Sequence, residues 1–477
     1  MEEFDLIIIG GGVGGLVTAS GAAQLGAKVA LIEKESLGGD CLRYGCVPTK
    51  RLVHSAKVAH LMGRAEEFGL VGTPLKVDFK LVMEGVRKTQ AAIAVHDDPI
   101  RFTEMGITVV FGKGRFKDAN TFVVGKREYT GRRFLIATGS SPVIPDIPGI
   151  DTANVLTNLT ILDLKELPGS LMIMGGGPIA IEYAQVFARL GSRVTVIEKK
   201  GQILPKEEPE LSRMLHDIFI EEGIEILTCK DFKEIVIEDG KKRLSLRCDD
   251  AVQEVVADEI MVAVGRRPNV NGLNLEAAGV EFDTRGGIKV DDTLATNVKH
   301  IYACGDVSGP YAFTHLAEYQ AGIVISNALF PLVRRHADYS VVPWVTYTDP
   351  ELAHVGITEA EAIKKLGKDK VHSYSFMFDE VDRAIIQGEG TGLIKLVVDN
   401  KKHLLGAHIL GPSAGELIHE LTLAMKAKIP ITEISKTIHA YPTISQAIKR
   451  ACDEYYREKI FTGWFPKVAR RLTHRVA

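Results

Sequence analysis

Cysteine is scarce in this 477-residue chain, with six residues in all, too few for the disulfide framework of a secreted scaffold. Basic charge is not in excess either. Lys and Arg total 58 against 61 Asp and Glu, a net charge of −3 that gives no reason to expect a nucleic-acid partner. The apolar run in the N-terminal segment MEEFDLIIIGGG follows acidic residues and is too short for a signal peptide or a membrane span. It reads as a buried first strand, and the expected location is the cytoplasm. Glycine, by contrast, is plentiful at 46 residues, as several tight backbone turns would require. The chain is too long for one core and points to about three domains.

An internal repeat sets the architecture. Residues 6–34, LIIIGGGVGGLVTASGAAQLGAKVALIEK, match residues 171–199, LMIMGGGPIAIEYAQVFARLGSRVTVIEK. Each copy reads as an apolar strand, a glycine loop, an amphipathic helix closing on Leu-Gly, and a second strand ending in Ile-Glu. That is a βαβ unit, whose parallel strands need a crossover helix. Two dinucleotide folds are therefore expected, one inserted after part of the other. The segments FVVGKREYTGRRFLIATG (122–139) and IVIEDGKKRLSLRCD (235–249) alternate apolar and polar residues about tight turns and read as antiparallel hairpins. Beyond about residue 343, short strands followed by long helical patterns indicate a separate α+β domain.

The glycine loops carry the first chemistry. Gly10, Gly12 and Gly15 suit the tight turn, the approach of a pyrophosphate and close helix–strand packing, while the helix N-terminus stabilises phosphate charge. Glu33 ends the following strand, where a carboxylate accepts hydrogen bonds from ribose hydroxyls. In the second copy Gly175 and Gly177 take the same places, Ala180 the third, and Glu198 is the acid. Glu198 would repel a 2′-phosphate, which favours NADH over NADPH; Lys199 and Lys200 keep NADPH possible.

Of the cysteines, Cys229, Cys248, Cys304 and Cys452 are scattered and read as single free thiols, whereas Cys41 and Cys46 sit in GGDCLRYGCVPTK (38–50). In a regular helix, residues five apart have Cα atoms ~8.6 Å apart. A disulfide needs less than ~7 Å. The pair can bond only where the chain departs from ideal helix, for which Gly45 and Gly38-Gly39 are suited, and such a bond is expected to be reducible. Two reduced cysteines near a helix start are the alternative.

With these motifs the chain resembles the class I flavoprotein pyridine-nucleotide disulfide oxidoreductases, the family of dihydrolipoyl dehydrogenase, glutathione reductase and mercuric reductase. GGDCLRYGCVPTK resembles its redox-active disulfide segment. IATGSSPVIPDIPG (136–149), MVAVGRRPN (261–269) and IYACGDVSG (301–309) are similar to its domain-crossing and flavin-binding signatures, and WVTYTDPELAHVG (344–356) to the start of its dimerisation domain. The resemblance implies an α/β fold of two Rossmann-like domains, for FAD and NAD(P), with antiparallel hairpin additions and a C-terminal α+β dimerisation domain. Its expected boundaries are 1–145 and 273–343 for the FAD domain, 146–272 for the NAD(P) domain, 344–456 for dimerisation, and a tail over 457–477.

Carried onto this chain, the resemblance implies that FAD binds Gly10, Gly12, Gly15, Glu33 and Asp306, with Lys50, Gly139, Ala317 and Gly265 also at cofactor-binding positions. NADH is implied to bind Gly175, Gly177 and Glu198. Cys46 matches the flavin-proximal thiol, Cys41 the interchange thiol, and Lys50 with Glu182 a flavin-side ion pair. A homodimer is implied, because in the family one subunit's C-terminal domain completes the other's active site.

At one place the chain departs from the family. Dihydrolipoyl dehydrogenase and glutathione reductase carry a His-Pro with a Glu four residues after the Pro, an acid–base pair for the exchanging thiol. Here Tyr441 precedes Pro442, and Gln446 stands at the Glu position. A phenol titrates near ~10 and is a poor proton shuttle for thiols. His439 lies two residues upstream and reads as an ordinary loop histidine. The overall pattern resembles the mercuric-reductase-like branch, yet the C-terminal Cys-Cys pair of mercuric reductases has no counterpart after Tyr456. The expected reaction is transfer from NADH through flavin and the Cys41–Cys46 pair to a small-molecule or metal-ion acceptor. Alternatives are dihydrolipoyl dehydrogenase, a flavoprotein sensor, or a membrane-associated NADH:quinone reductase. The last draws on the basic tail, where Phe461, Trp464, Phe465, Val468 and Leu472 are near-helically spaced and peripheral membrane contact is conceivable. Docking of that tail on its own dimer is the plainer reading.

Overall fold

The structure is a computed structural model that describes residues 3–72, 76–228, 231–248, 251–330, 332–461 and 466. All of the expected tail beyond Phe461 except Pro466 lies outside the described residues. The chain divides into two compact units, one of Met1–Gly175, Arg189–Arg193 and Asp231–Asp338, the other of Gly176–Ala188, Val194–Lys230 and Tyr339–Ala477.

The first unit is built on a five-stranded parallel sheet in the order Ile301–Ala303, Phe134–Ile136, Leu6–Ile9, Val29–Glu33, Thr108–Phe111. Strand 301–303 comes from late in the chain, so this fold is completed by a segment that returns after a long interruption. Alternate residues of the first strand face opposite layers. Leu6 and Ile8 pack with Leu16, Ala19, Ile323 and Val324 of two helices, Val13–Gln24 and Thr314–Leu329. Ile7 and Ile9 pack with Phe116 and Phe122 of a hairpin layer. Burial on both faces explains why the strand is an unbroken apolar run.

That hairpin layer is the expected addition, with one difference. Gly114–Asp118, Thr121–Val124 and Arg127–Gly131 form an antiparallel meander. Phe134–Ile136, which had read as part of the same hairpin, instead enters the parallel sheet beside Leu6–Ile9. The segment FLI is apolar on both sides, so its best burial is a two-faced strand, a preference that alternation upstream concealed. The second hairpin forms as expected: Asp231–Glu238 pairs Lys241–Cys248 about Asp239 and Gly240, and Ala251–Ala257 adds a third strand. Cys248 differs from its reading as a free thiol and is disulfide-bonded; sequence scatter carries no information on which chain segments meet.

In the second unit, a five-stranded antiparallel sheet runs in the order Pro343–Thr346, Glu351–Gly356, Leu404–Gly411, Leu393–Asp399, Val371–Met377. Helix Ala414–Lys426 covers it with Ala414, Leu417, Ile418 and Leu421, one face at helical spacing. Helix Gln446–Phe461 contributes Ala447, Ile448, Ala451 and Cys452 to the same core. This is the α+β domain expected beyond residue 343.

Candidate functional site

The first glycine loop is shaped by steric need. Gly10 has φ +115°, and a Cβ there would lie 2.2 Å from the Ala137 carbonyl oxygen. A Cβ on Gly15 would lie 1.9 Å from the Gly10 carbonyl oxygen. No side chain caps the helix beginning after Gly12, which leaves its first N–H groups without a side-chain acceptor, as an anion-binding helix end requires. Glu33 closes the loop: its carboxylate accepts from the Gly11 N–H at 2.7 Å and the Glu35 N–H at 2.8 Å.

The second loop repeats this design. Gly175 has φ +114°, and a Cβ there would meet the Ala263 carbonyl oxygen at 2.5 Å. The Glu198 carboxylate accepts from the Gly176 N–H at 2.5 Å and the Lys200 N–H at 2.7 Å. Gly177 faces open space. The same acid thus pins the same loop position in both copies, which is the physical meaning of the internal repeat.

The cysteine segment follows the first loop and touches it. A Cβ on Gly39 would lie 2.6 Å from the Gly12 Cα, so two glycines let the cysteine segment reach the glycine loop. Cys41 lies in the short helix Gly39–Arg43, and Cys46 opens a new helix, Cys46–Gly63, after Tyr44 and Gly45. The departure from regular helix that a Cys41–Cys46 bond would require is therefore present. Gln90 closes the first helix by donating to the Leu42 carbonyl at 3.1 Å and the Arg43 carbonyl at 2.8 Å.

Both cysteines are free thiols, Cys41 half-buried and Cys46 exposed. A hydrogen bond to Cys46 and then burial push the Cys41 thiol far above the usual cysteine range. Cys41 accordingly holds its proton more tightly than a free thiol, and Cys46 stands at the positive end of its helix. The Thr314 hydroxyl lies 3.3 Å from the Cys46 sulfur and also lowers Cys41. Thr314 was not singled out from the sequence.

Two further signatures meet in the first unit. Ser140–Pro142 pairs Arg266–Pro268, joining the segment of Gly139 (φ +66°) to that of Gly265 (φ +149°). Asn269 reinforces the junction through Thr138 and Ser141. Asp306 accepts from the Ser140 hydroxyl at 2.5 Å. Burial raises its carboxyl above the usual range, against the opposing pull of Ser140 and Arg266. Ala317 is buried beside Gly305 and Gly14.

In the second unit Glu182 is buried and accepts from the Tyr347 N–H at 2.9 Å. Lys50 lies one turn after Cys46 on the first unit's helix. Tyr441 is 70% exposed and donates to Asp382 at 2.8 Å, which raises its phenol above the ordinary value. Gln446 donates to the His439 and Ala440 carbonyls. His439 has both ring nitrogens engaged, with the Thr437 carbonyl at 3.0 Å and Glu420 at 3.2 Å. Open glycine loops, an uncapped helix end, an acid at each strand end and Asp306 are a donor set that fits two dinucleotides, FAD among them.

Comparison with known proteins agrees. The family model described as pyridine nucleotide-disulphide oxidoreductase matches residues 4–321, and its dimerisation domain matches 342–452. A mercuric reductase from Lysinibacillus sphaericus is 35% identical over 94% of this chain and 82% of its own length. A dihydrolipoyl dehydrogenase from Chlamydia trachomatis is 35% identical over 93% of this chain and 95% of its own. Among solved structures, the Cu(II) complex of the HOCl-induced flavoprotein disulfide reductase RclA from Escherichia coli is similar with a TM-score of 0.86 and 29% identity, covering 95% of this chain and 99% of that one.

Proposed function

The chain belongs to the pyridine nucleotide-disulphide oxidoreductase family, and from that premise we propose that it passes electrons from NADH through the Cys41–Cys46 pair to a thiophilic metal ion. As a member of the family it is an FAD-dependent enzyme that uses NAD(P)H. Bound FAD supplies the two-electron link between the nicotinamide and the thiols. Gly10, Gly12, Gly15 and the helix end hold its pyrophosphate, Glu33 its ribose, and Gly139, Gly265, Asp306 and Ala317 complete the pocket. The family resemblance assigns Lys50 and Glu182 to flavin-side positions. Gly175, Gly177 and Glu198 hold the nicotinamide nucleotide, and the Glu198 carboxylate disfavours a 2′-phosphate.

The observation that carries the acceptor is the state of Tyr441. Its proton is held by Asp382 and its phenol titrates above the ordinary value, so it does not protonate a leaving thiolate near neutral pH. A disulfide substrate needs that proton. A thiophilic metal ion binds thiolates directly and releases no thiolate. One relative is named for mercury and one neighbour is a Cu(II) complex. Dihydrolipoyl dehydrogenase activity is the second reading, favoured by the identity to that enzyme.

The test is a single purified preparation assayed with NADH and NADPH against Hg(II), Cu(II), lipoamide, glutathione disulfide and quinones. We expect metal-dependent NADH oxidation, and a loss of about 100-fold in Cys41→Ser with flavin retained. Fast lipoamide turnover, or full metal-dependent activity in that variant, would overturn the proposal.

A further inference from the structure

The helix that carries Cys41 has a carboxylate in its first turn, Asp40, and that carboxylate is held from two sides. Asn158 donates to one oxygen at 3.3 Å, and the Arg266 guanidinium lies 3.2 Å from the other. The same oxygen would lie 3.1 Å from a Cβ on Gly45, so the charge rests in the turn between Cys41 and Cys46. Arg266 does not stop at Asp40. It donates to the Ser140 hydroxyl at 2.8 Å and carbonyl at 2.9 Å, and Ser140 in turn donates to Asp306. One cation therefore stands between two carboxylates, one in the thiol turn and one in the candidate flavin pocket, and it is largely shielded from solvent, with 18% of its side chain exposed.

We infer that Arg266 and Asp40 are positioning residues that set the reactivity of the thiol pair, with Arg266 balancing the negative charge that Asp40 brings into the turn. The inference rests on the thiol relay proposed above, but its readout is the thiols themselves and needs no acceptor. Removing Arg266 leaves Asp40 and Asp306 uncompensated, which disfavours a thiolate nearby. Neutralising Asp40 leaves Arg266 in excess, which favours one. The two changes thus act in opposite directions, whereas residues that only hold the fold would act in the same direction. The other charged groups around the turn are Arg43 on the same helix, Lys50 on the next, and Asp97, whose carboxylate would lie 3.1 Å from a Cβ on Gly38. None of these is changed by the test.

The test measures the rate of iodoacetamide alkylation of the reduced holoenzyme against pH, mapped by peptide mass to Cys41 and Cys46, for the wild type, Asp40→Asn, Arg266→Met, Arg266→Lys and the Asn/Met double variant. We expect the midpoint to rise by about one pH unit in Arg266→Met, roughly a tenfold slower reaction at neutral pH, and to fall in Asp40→Asn. Arg266→Lys should sit near the wild type, and the double variant should return toward it. Thermal melts identify any variant that fails to fold, and the Asp40→Asn and Arg266→Lys pair then suffices. Unchanged midpoints, or shifts of the same sign in Asp40→Asn and Arg266→Met, would overturn the inference. Metal-dependent turnover that survives Cys41→Ser would instead count against the relay.

Discussion

At the scale of single residues, the chemistry turns on which groups hold protons. Cys41 holds its own more tightly because Cys46 is its hydrogen-bond partner and because it is half-buried. Tyr441 keeps its own because Asp382 accepts it. A phenol so held contributes little to proton transfer, and Tyr441→Phe is expected to change metal-dependent kcat/KM by less than about threefold. A fall of 100-fold in that steady-state measurement would restore an acid–base role to Tyr441. That an acid closes each glycine loop was legible from the internal repeat, because the motif is local and its glycines are sterically compelled. The roles of Cys41 and Cys46 came from the family resemblance. Thr314, 268 positions from Cys46, was not legible. Nothing in a threonine's neighbours along the chain announces that a distant thiol will meet it.

At the scale of elements, the second unit holds an arrangement that no local pattern predicts. Trp344, His354, His408 and Lys395 lie side by side across four strands in one register row. Trp344 stacks on His354 with ring centroids 3.7 Å apart, and His354 meets Glu207 at 3.0 Å. Lys395 is bound by Glu208 at 2.9 Å and by Glu359 at 2.9 Å. His408 is buried among them, and burial, then the neighbouring His354, lowers its pKa well below the ordinary histidine value. The folded chain therefore binds its proton more weakly than the unfolded chain. The stability this gives is present above about pH 6.5 and is lost as pH falls below it, at up to about 1.4 kcal/mol per pH unit. Melting temperature should accordingly drop between pH 6.5 and 5.5, and less steeply in His408→Gln. Equal slopes in the two proteins would show that another group titrates in that window.

At the scale of the whole molecule, the dimerisation domain implies a second copy, and the second unit leaves apolar side chains to receive one. Ile438 is 95% exposed, and Leu423, Ile385 and Ile386 are each more than half exposed. A second copy docking on this unit would cover such side chains. Ile438→Asp is expected to shift the enzyme toward monomer in light scattering at micromolar concentration; an unchanged dimer mass would place the interface elsewhere. Among the described residues, no helix is long and apolar enough to cross a membrane.

The sequence by itself determined what short-range sterics and periodicity encode. The two βαβ units, their acids and the α+β character beyond residue 343 all follow from local pattern. The tertiary structure alone decided what depends on distant segments meeting. Residues 134–136 leave their hairpin for the parallel sheet, and Cys248 is bonded. Arg266 reaches back to Asp40, and His408 meets Glu207's partner His354. The physical reason is the range of the forces. Backbone conformation is fixed by neighbours in the chain, whereas the charge and proton affinity of a buried side chain are fixed by neighbours in space.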